Sequence, residues 1–193
     1  EFRRVLFRSF GDNGFKKLVN EGYNCANTHY NYVPTYTGPG HASIYTGTTP
    51  AIHGIVGNSW YSREFSRDLY VTEDTAVQSL GTTGIAGKMS PANLLSTTFC
   101  DELRIASNMR SKVIGVALKD RGAILPAGYA ANGAYWLDGI SGNWISSSWY
   151  FNALPGWVNQ FNNRKLPEKY LKNDWKPLLS LADYSERDRK STV

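Results

Sequence analysis

A continuous apolar run at residues 112–118 (KVIGVAL) follows a segment with helical spacing, and this order constrains the fold more than any other feature. The preceding segment, residues 90–108, opens with a Ser-Pro pair that is typical of a helix start. Its apolar residues recur every three or four positions, at Leu95, Phe99, Leu103 and Ala106. A short apolar run after a helix fits a buried parallel strand. The sequence therefore predicts an α/β fold, with part of a mostly parallel central sheet flanked by helices.

Other segments carry weaker signals of the same kind. The predicted elements are a helix over 12–21 ended by Gly22, a strand over 23–31, a hairpin or long loop over 59–72, strands over 134–139 and 143–149, and a helix over 155–161. In parallel α/β sheets, functional groups cluster where strands end and helices begin. Two places in this chain have that arrangement.

Thr37 is the first of them, at a predicted turn before a short helix that Gly47 ends. A helix N-terminus offers free N–H groups and a positive dipole end, both suited to phosphate. The glycines at positions 38 and 40 let a bulky anion approach the backbone. Taken alone, however, the commoner role of a threonine at such a position is to cap the helix.

The second place is the segment 118–122 (LKDRG), directly after the predicted buried strand. Lys119 and Arg121 are two positions apart, so in an extended segment their side chains point the same way. Such a pair can hold phosphate, although an exposed basic turn balanced by Asp120 is the commoner arrangement. Asn58 can donate its amide N–H to a phosphate oxygen, but an Asn after Gly is more often part of a turn.

Three further groups of residues allow more than one interpretation. His29, His41 and His53 are twelve positions apart each way, a spacing that no metal motif demands. Four tryptophans crowd the segment 136–157 and can form a sugar-binding platform or a core; they are Trp136, Trp144, Trp149 and Trp157. Cys25 and Cys100 can form a disulfide or stay as two thiols.

Both ends of the chain look foreign to the rest. Residues 5–9 (VLFRS) can be encoded as GTG CTC TTC CGA TCT, whose reverse complement, shifted by one base, encodes residues 188–192 (DRKST). We therefore expect 1–9 and 188–193 to derive from a sequencing adapter, and 10–187 to be an incomplete catalytic domain. Without these ends the charge falls from +5 (21 − 16) to +2 (16 − 14), and no basic stripe suggests nucleic acid. No apolar run is long enough to span a membrane.

Three segments together resemble one family. Residues 31–47 (NYVPTYTGPGHASIYTG) resemble the nucleophile region of the alkaline phosphatase superfamily, in the threonine branch related to type I phosphodiesterases and nucleotide pyrophosphatases. Residues 50–58 (PAIHGIVGN) and 118–126 (LKDRGAILP) agree with the Thr-nucleophile alkaline phosphatases in that branch. The similarity runs from Phe10 to at least Phe161.

The resemblance implies a function and its residues. Thr37 would be the nucleophile and a ligand to one of two zinc ions, and Asn58, Lys119 and Arg121 would hold the phosphate oxygens. The Lys/Arg pair resembles phosphomonoesterases acting on small phosphate esters through a phosphothreonine, with a phosphodiesterase or nucleotide pyrophosphatase as the alternative. A carbohydrate-binding module built on the tryptophans is a further, remote alternative. Relatives of this kind are usually periplasmic or secreted.

The sequence also departs from that family. The family's metal site needs an aspartate before the first helix and further Asp and His ligands well after the tryptophan-rich region. No aspartate precedes Asp12 and no histidine follows His53, so Thr37 alone of the metal ligands is present. We therefore expect the 193-residue chain to be a fragment that neither holds two zinc ions nor turns over substrate.

Overall fold

The computed structural model describes residues 11–23, 25 and 27–180. The chain divides into two units between Val33 and Pro34. In the first unit, helix α1 (Phe15–Glu21) ends at Gly22, as predicted, and the Gly22 N–H bonds the carbonyl of Leu18 at 3.0 Å. The strand predicted over 23–31 is wrong, because none of the described residues in that range is in a strand. The described part of this unit offers no second strand to pair with.

Two short helices open the second unit. Helix α2 (Thr37–Thr46) and helix α3 (Pro50–His53) both end at a glycine in the left-handed region, Gly47 at φ 68° and Gly54 at φ 80°. Glycine adopts this conformation without a steric penalty, which is why the predicted end of α2 at Gly47 is confirmed. An antiparallel hairpin then follows, as β1 (Ser59–Ser62) and β2 (Arg67–Tyr70), with Ser59 opposite Tyr70. Of the two predicted forms of this segment, the hairpin is therefore correct.

A four-stranded sheet forms the centre of the second unit. Its strands are β3 (Ser79–Leu80), β4 (Ile114–Ala117), β5 (Gly133–Leu137) and β6 (Trp144–Ser147), in the order β3-β6-β5-β4. The α/β class is confirmed, but the sheet is mixed, since among the described strands only the β4–β5 pairing is parallel. The two aromatic strands predicted after residue 134 are β5 and β6, and their short connection makes them antiparallel.

Strand β4 is less buried than its sequence predicted. It lies at the end of the strand order, and Ile114 and Val116 are 59% and 62% exposed. The helix over Asp120–Ala127 covers the strand closely at Gly115, where a Cβ would collide with the carbonyl of Ala123. The apolar run thus predicted the strand and its parallel partner correctly but not its surroundings, because an apolar pattern does not say which neighbours are present.

The remaining helices are α4 (Phe99–Ala106), α5 (Asp120–Ala127), α6 (Gly156–Asn162) and α7 (Leu166–Leu171). Helix α4 begins at Phe99 rather than at Pro91, as a Thr98–Asp101 capping box supplies the stronger start. The Ser90 hydroxyl instead donates to Asp74 at 2.5 Å. Helix α6 confirms the helix predicted over 155–161.

Helix α5 belongs to both hydrophobic clusters of the second unit. One cluster consists of Ala42, Ile55, Val71, Leu94 and Leu125. The other consists of Ala123, Ile124, Ala134, Trp136 and Ile145. Three consecutive residues of α5, Ala123, Ile124 and Leu125, are fully buried and pack into these two clusters, which anchors the helix.

His53 is a buried histidine whose structure predicts a pH-dependent stability. Its side chain is 0% exposed, its Nδ1 accepts the N–H of Ile55 at 3.1 Å, and its Nε2 lies 3.0 Å from the hydroxyl of Ser43. Because a backbone N–H can only donate, Nδ1 is unprotonated and Nε2 carries the hydrogen. Burial lowers the pKa of His53 below its ordinary value.

The expected result is a loss of stability in acid. Above the ordinary histidine pKa of about 6.5 the ring is neutral in both states, and stability is at its full value. Below that pH, His53 binds a proton in the unfolded chain but stays neutral in the folded chain. The free energy of unfolding therefore decreases as the pH is lowered, until the pKa of the folded state is reached. Urea unfolding between pH 8 and pH 5 measures this slope. The slope should shrink in His53→Gln and persist in His29→Gln, an exposed control; an unchanged slope in His53→Gln would contradict the assignment.

Candidate active site

Thr37 is the first residue of α2, and its side chain is exposed. The capping position belongs to Tyr36, with φ −72° and ψ 171°, and no side chain of the local sequence caps the helix. The common role of Thr37 as a helix cap is therefore ruled out by the position at which the helix begins. The predicted turn at residue 37 is also wrong, because Thr37 is already helical.

Asn58 supplies the acceptor that this helix start lacks locally. Its side-chain oxygen accepts the N–H of Gly38 at 2.8 Å, across 20 positions of sequence. This contact assigns the amide, since only the oxygen can accept, and it leaves the NH₂ group of Asn58 as a donor. Gly38 has to be a glycine here, because a Cβ would lie 2.9 Å from the carbonyl oxygen of Gly57 and 3.2 Å from the side-chain oxygen of Asn58.

Lys119 and Arg121 flank the start of α5. Lys119 is the capping residue, with an extended backbone at φ −115° and ψ 140°, and Arg121 is the second residue of the helix. The spacing alone predicted that the two would be neighbours on one extended segment. That prediction is wrong, because the helix begins between them. Lys119 is exposed, whereas Arg121 is half-buried.

The Arg121 guanidinium is held by an aromatic residue. Its Nη1 donates to the hydroxyl of Tyr70 at 2.6 Å, and its Cζ lies 5.9 Å from the centre of the Tyr70 ring. Its Nε is buried and has no hydrogen-bond partner among the described residues. A buried donor without an acceptor costs about 1–3 kcal/mol, so this N–H would gain from an acceptor on a bound molecule. A phosphate oxygen is an acceptor of the required kind.

Asp120 does not form an ion pair with either neighbouring cation within the described part of the chain. Its Oδ1 accepts from the Tyr70 hydroxyl at 3.0 Å, and its Oδ2 accepts from the hydroxyl of Thr72. Burial, followed by the negative charge of Asp120, raises the pKa of Tyr70, so the phenol stays protonated. The exposed basic turn balanced by Asp120 is therefore not the observed arrangement.

A series of contacts connects the neighbourhoods of three of the residues that the sequence singled out, Thr37, Asn58 and Arg121. Asn58 contacts the first turn of α2 through Gly38, and its backbone oxygen accepts the N–H of Val71 at 3.0 Å. Tyr70, which precedes Val71 in the chain, accepts a hydrogen bond from the Arg121 guanidinium. The structure thus brings Thr37, Asn58 and the start of α5 into one neighbourhood.

Sequence reasoning missed the residues that hold this neighbourhood together. Tyr70 and Thr72 lie about fifty positions before Asp120 and Arg121 in the chain. Neither belongs to a spacing pattern, and the only signal available was their place in a segment rich in aromatic and charged residues. Hydrogen bonds between distant segments are set by the fold, which a local pattern does not report.

The other predicted groups have different surroundings. His53 uses both ring nitrogens, and the Nδ1 of His41 lies 2.8 Å from the carbonyl oxygen of Thr37. Within residues 11–23, 25 and 27–180, no group of three or more His, Cys, Asp or Glu side chains could hold a metal ion. Cys25 and Cys100 are both free thiols.

The tryptophans do not share one exposed surface. Trp136 is 2% exposed and its indole N–H bonds the carbonyl of Ala86 at 2.9 Å, so it belongs to the core. Trp149 and Trp157 are 38% and 61% exposed, and Trp157 packs edge-on against Tyr135. No helix in the described part of the chain is long and apolar enough to cross a membrane.

Comparison with known proteins identifies the family. The family model described as type I phosphodiesterase / nucleotide pyrophosphatase matches residues 3–192, and the chain belongs to this family. The match extends into the segments 1–9 and 188–193, whose adapter origin stays a prediction.

The similar proteins are mainly alkaline phosphatases. The chain is 52% identical over 181 residues to alkaline phosphatase PhoV of Synechococcus elongatus, covering 94% of this chain and 33% of that protein. It is 50% identical over 175 residues to a Myroides odoratus protein named a calcium-transporting ATPase, covering 91% of this chain and 32% of the relative. The chain therefore spans about a third of the length of the curated relatives it matches.

Solved structures agree with the fold. The crystal structure of wild-type alkaline phosphatase PafA matches with a TM-score of 0.84 and 48% identity, over 91% of this chain and 34% of that one; PafA of Elizabethkingia meningoseptica is also a curated relative. A second PafA structure, with a TM-score of 0.84 and 47% identity over 92% of this chain and 34% of that one, is of a variant. In that variant one threonine is replaced by serine, and one asparagine, one lysine and one arginine are replaced by alanine.

Proposed function

We propose that this chain carries the nucleophile and the phosphate-binding residues of a phosphomonoesterase, with Thr37 as the nucleophile. The observation that carries the proposal is the series of contacts from the start of α2 through Asn58 and Tyr70 to Arg121. It joins an exposed hydroxyl at a helix N-terminus to an amide donor and a guanidinium, which is the set of groups that phosphoryl transfer requires.

The PafA variant supports the choice of these four residues. Asn58 follows Thr37 by 21 positions and Arg121 follows Lys119 by two. The substituted threonine and asparagine of that variant, and its substituted lysine and arginine, have the same two spacings in the same chain order. Four residue types at matching spacings in a protein of 48% identity support an equivalent set in this chain.

The chain's own residues would act as follows. The Thr37 oxygen attacks phosphorus, a bond from that oxygen to phosphorus forms, and the bond to the ester oxygen breaks, leaving a phosphothreonine and an alcohol. Water then attacks phosphorus and releases Thr37 and inorganic phosphate. The amide of Asn58, the Lys119 ammonium and the Arg121 guanidinium bind the non-bridging oxygens, on which charge is spread in the transition state.

Two zinc ions are the cofactor that the family resemblance implies, with Thr37 as one ligand. The described residues do not form a metal site by themselves, so the remaining ligands would have to come from outside them, and no step is assigned to a metal here. When bound, zinc would supply Lewis-acid activation of the hydroxyl and of water.

By the same resemblance we propose a periplasmic or secreted protein that acts on small phosphate esters and not on nucleic acid.

A phosphodiesterase or nucleotide pyrophosphatase is the second candidate, favoured by the description of the matching family model. The Lys119/Arg121 pair favours the monoesterase, because a dianionic monoester gains more from two cations than a monoanionic diester does. The remote carbohydrate-binding alternative lacks this support, since Trp136 lies in the core.

The test uses the complete reading frame that contains this chain, recovered from the source DNA. Its product should hydrolyse an aryl phosphate monoester faster than the matching diester, and a chelator should lower the rate by about a hundredfold or more. Readdition of Zn²⁺ should restore it. The 193-residue chain, assayed beside it, should be inactive. A complete product that prefers the diester, or that is indifferent to the chelator, would contradict the proposal.

A further inference from the structure

Tyr70 stands between two oppositely charged residues that are adjacent in the sequence. Its hydroxyl donates to Oδ1 of Asp120 at 3.0 Å and accepts from Nη1 of Arg121 at 2.6 Å. The phenol therefore separates a carboxylate from a guanidinium that would otherwise be free to pair directly. A carboxylate next to an arginine tends to form a strong, often bidentate, hydrogen-bonded pair.

The Asp120 carboxylate has its hydrogen bonds without using Arg121. Thr72 donates to one oxygen and Tyr70 donates to the other. In the described part of the chain no ion pair joins Asp120 to Arg121. The guanidinium thus keeps its charge, and a buried Nε that no described residue satisfies, for another acceptor. A neutral phenol bonds the guanidinium without neutralising it.

The backbone around Tyr70 is tied together by the Asn93 side chain, and the Glu73 carboxylate accepts the N–H of Tyr70 at 3.4 Å. The amide of Asn93 donates to the carbonyl of Val71 at 3.2 Å, with longer contacts of 3.3 Å to Glu73 and 3.4 Å to Tyr70. The Tyr70 ring also packs against the hydrophobic cluster that contains Val71 and Leu125. A half-buried ring on a fixed backbone has little rotamer freedom, so its hydroxyl is a rigid partner for Arg121.

We propose that Tyr70 is a positioning residue of the phosphatase site, which holds Arg121 for a dianionic phosphate monoester by keeping Asp120 from pairing with it. The inference rests on the proposed function and adds a determinant of substrate class to it. Removing only the hydroxyl, as in Tyr70→Phe, lets Asp120 and Arg121 approach each other. The guanidinium would then be partly neutralised and displaced, and the monoester would lose more than the diester.

The experiment measures kcat/KM of the complete enzyme for an aryl phosphate monoester and for the matching diester. Tyr70→Phe is expected to lower the monoester value about tenfold and the diester value by less than about threefold. Inhibition by inorganic phosphate should weaken by a factor similar to the monoester loss, because the product is also a dianion. In an Arg121→Ala background, Tyr70→Phe should have no further effect on either substrate.

Tyr150→Phe is the matched control. Tyr150 is a half-buried tyrosine whose buried hydroxyl has no hydrogen-bond partner among the described residues, so its removal reports the generic effect of losing a buried hydroxyl. An equal loss on both substrates, or a Tyr70→Phe loss that persists without Arg121, would assign Tyr70 a purely structural role and overturn the inference. A wild-type enzyme that does not hydrolyse the monoester would instead refute the proposed function itself.

Discussion

Replacing Thr37 by alanine lowers kcat/KM for a phosphate monoester by about four orders of magnitude or more in the complete enzyme. The large effect is expected because the substitution removes the attacking oxygen, and not only a group that stabilises charge. The fold should survive, since Thr37 is exposed and no side-chain cap of α2 depends on it. Steady-state hydrolysis of an aryl phosphate by purified wild type and variant measures the loss.

Two controls separate the nucleophile from the helix. Thr37→Ser keeps a hydroxyl at the same place and should retain a substantial part of the activity. Thr46→Ala removes a threonine from the other end of α2, where its hydroxyl bonds the carbonyl of Ala42 at 2.7 Å, and should leave the rate within about threefold of wild type. If Thr37→Ala hydrolysed the monoester as fast as Thr46→Ala, Thr37 would not be the nucleophile.

Replacing Arg121 or Lys119 by alanine should separate the two candidate substrate classes. Each substitution is expected to lower kcat/KM for a monoester by about 10²–10³-fold and for the matching diester by about tenfold or less. The reason is electrostatic, since a monoester carries one more negative charge on its non-bridging oxygens than a diester does. Parallel assays of both substrates with each variant measure the difference.

Lys112→Ala provides the control for this pair. Lys112 is an exposed lysine just before β4, and its loss changes the net charge by the same amount as the loss of Lys119. It should leave both rates unchanged. Equal losses on both substrates in Arg121→Ala would favour the phosphodiesterase and contradict the monoesterase proposal.

Local sequence signals predicted those parts of the fold that depend on local chemistry. The end of α2 at Gly47 was predictable because a left-handed residue is needed there, and β5 and β6 because aromatic runs favour strands. The start of α4 was missed because a Ser-Pro pair and a Thr-x-x-Asp capping box compete; the capping box begins the helix, and the Ser90 hydroxyl bonds Asp74 instead.

The sequence proposes the candidate site as a set of residues, but it does not give the arrangement of those residues. The four residues of the site were proposed from three sequence segments that occur in the order typical of the family. The geometry of Lys119 and Arg121 could not be predicted in this way, because helix α5 begins between them. Sequence analysis did not identify Tyr70, because its hydrogen bonds to Asp120 and Arg121 form only where β2 packs near α5. Contacts of that range depend on packing, and they leave no periodic trace in the sequence.

The most direct test of the central claim is to locate the phosphoryl group during turnover. The complete enzyme is quenched in acid while it hydrolyses a phosphate monoester, digested, and mapped by mass spectrometry. A phosphoryl group on Thr37, absent from the Thr37→Ala protein, is the predicted result. A phosphoryl group on any other residue would contradict the assignment of this chain's Thr37 as the nucleophile.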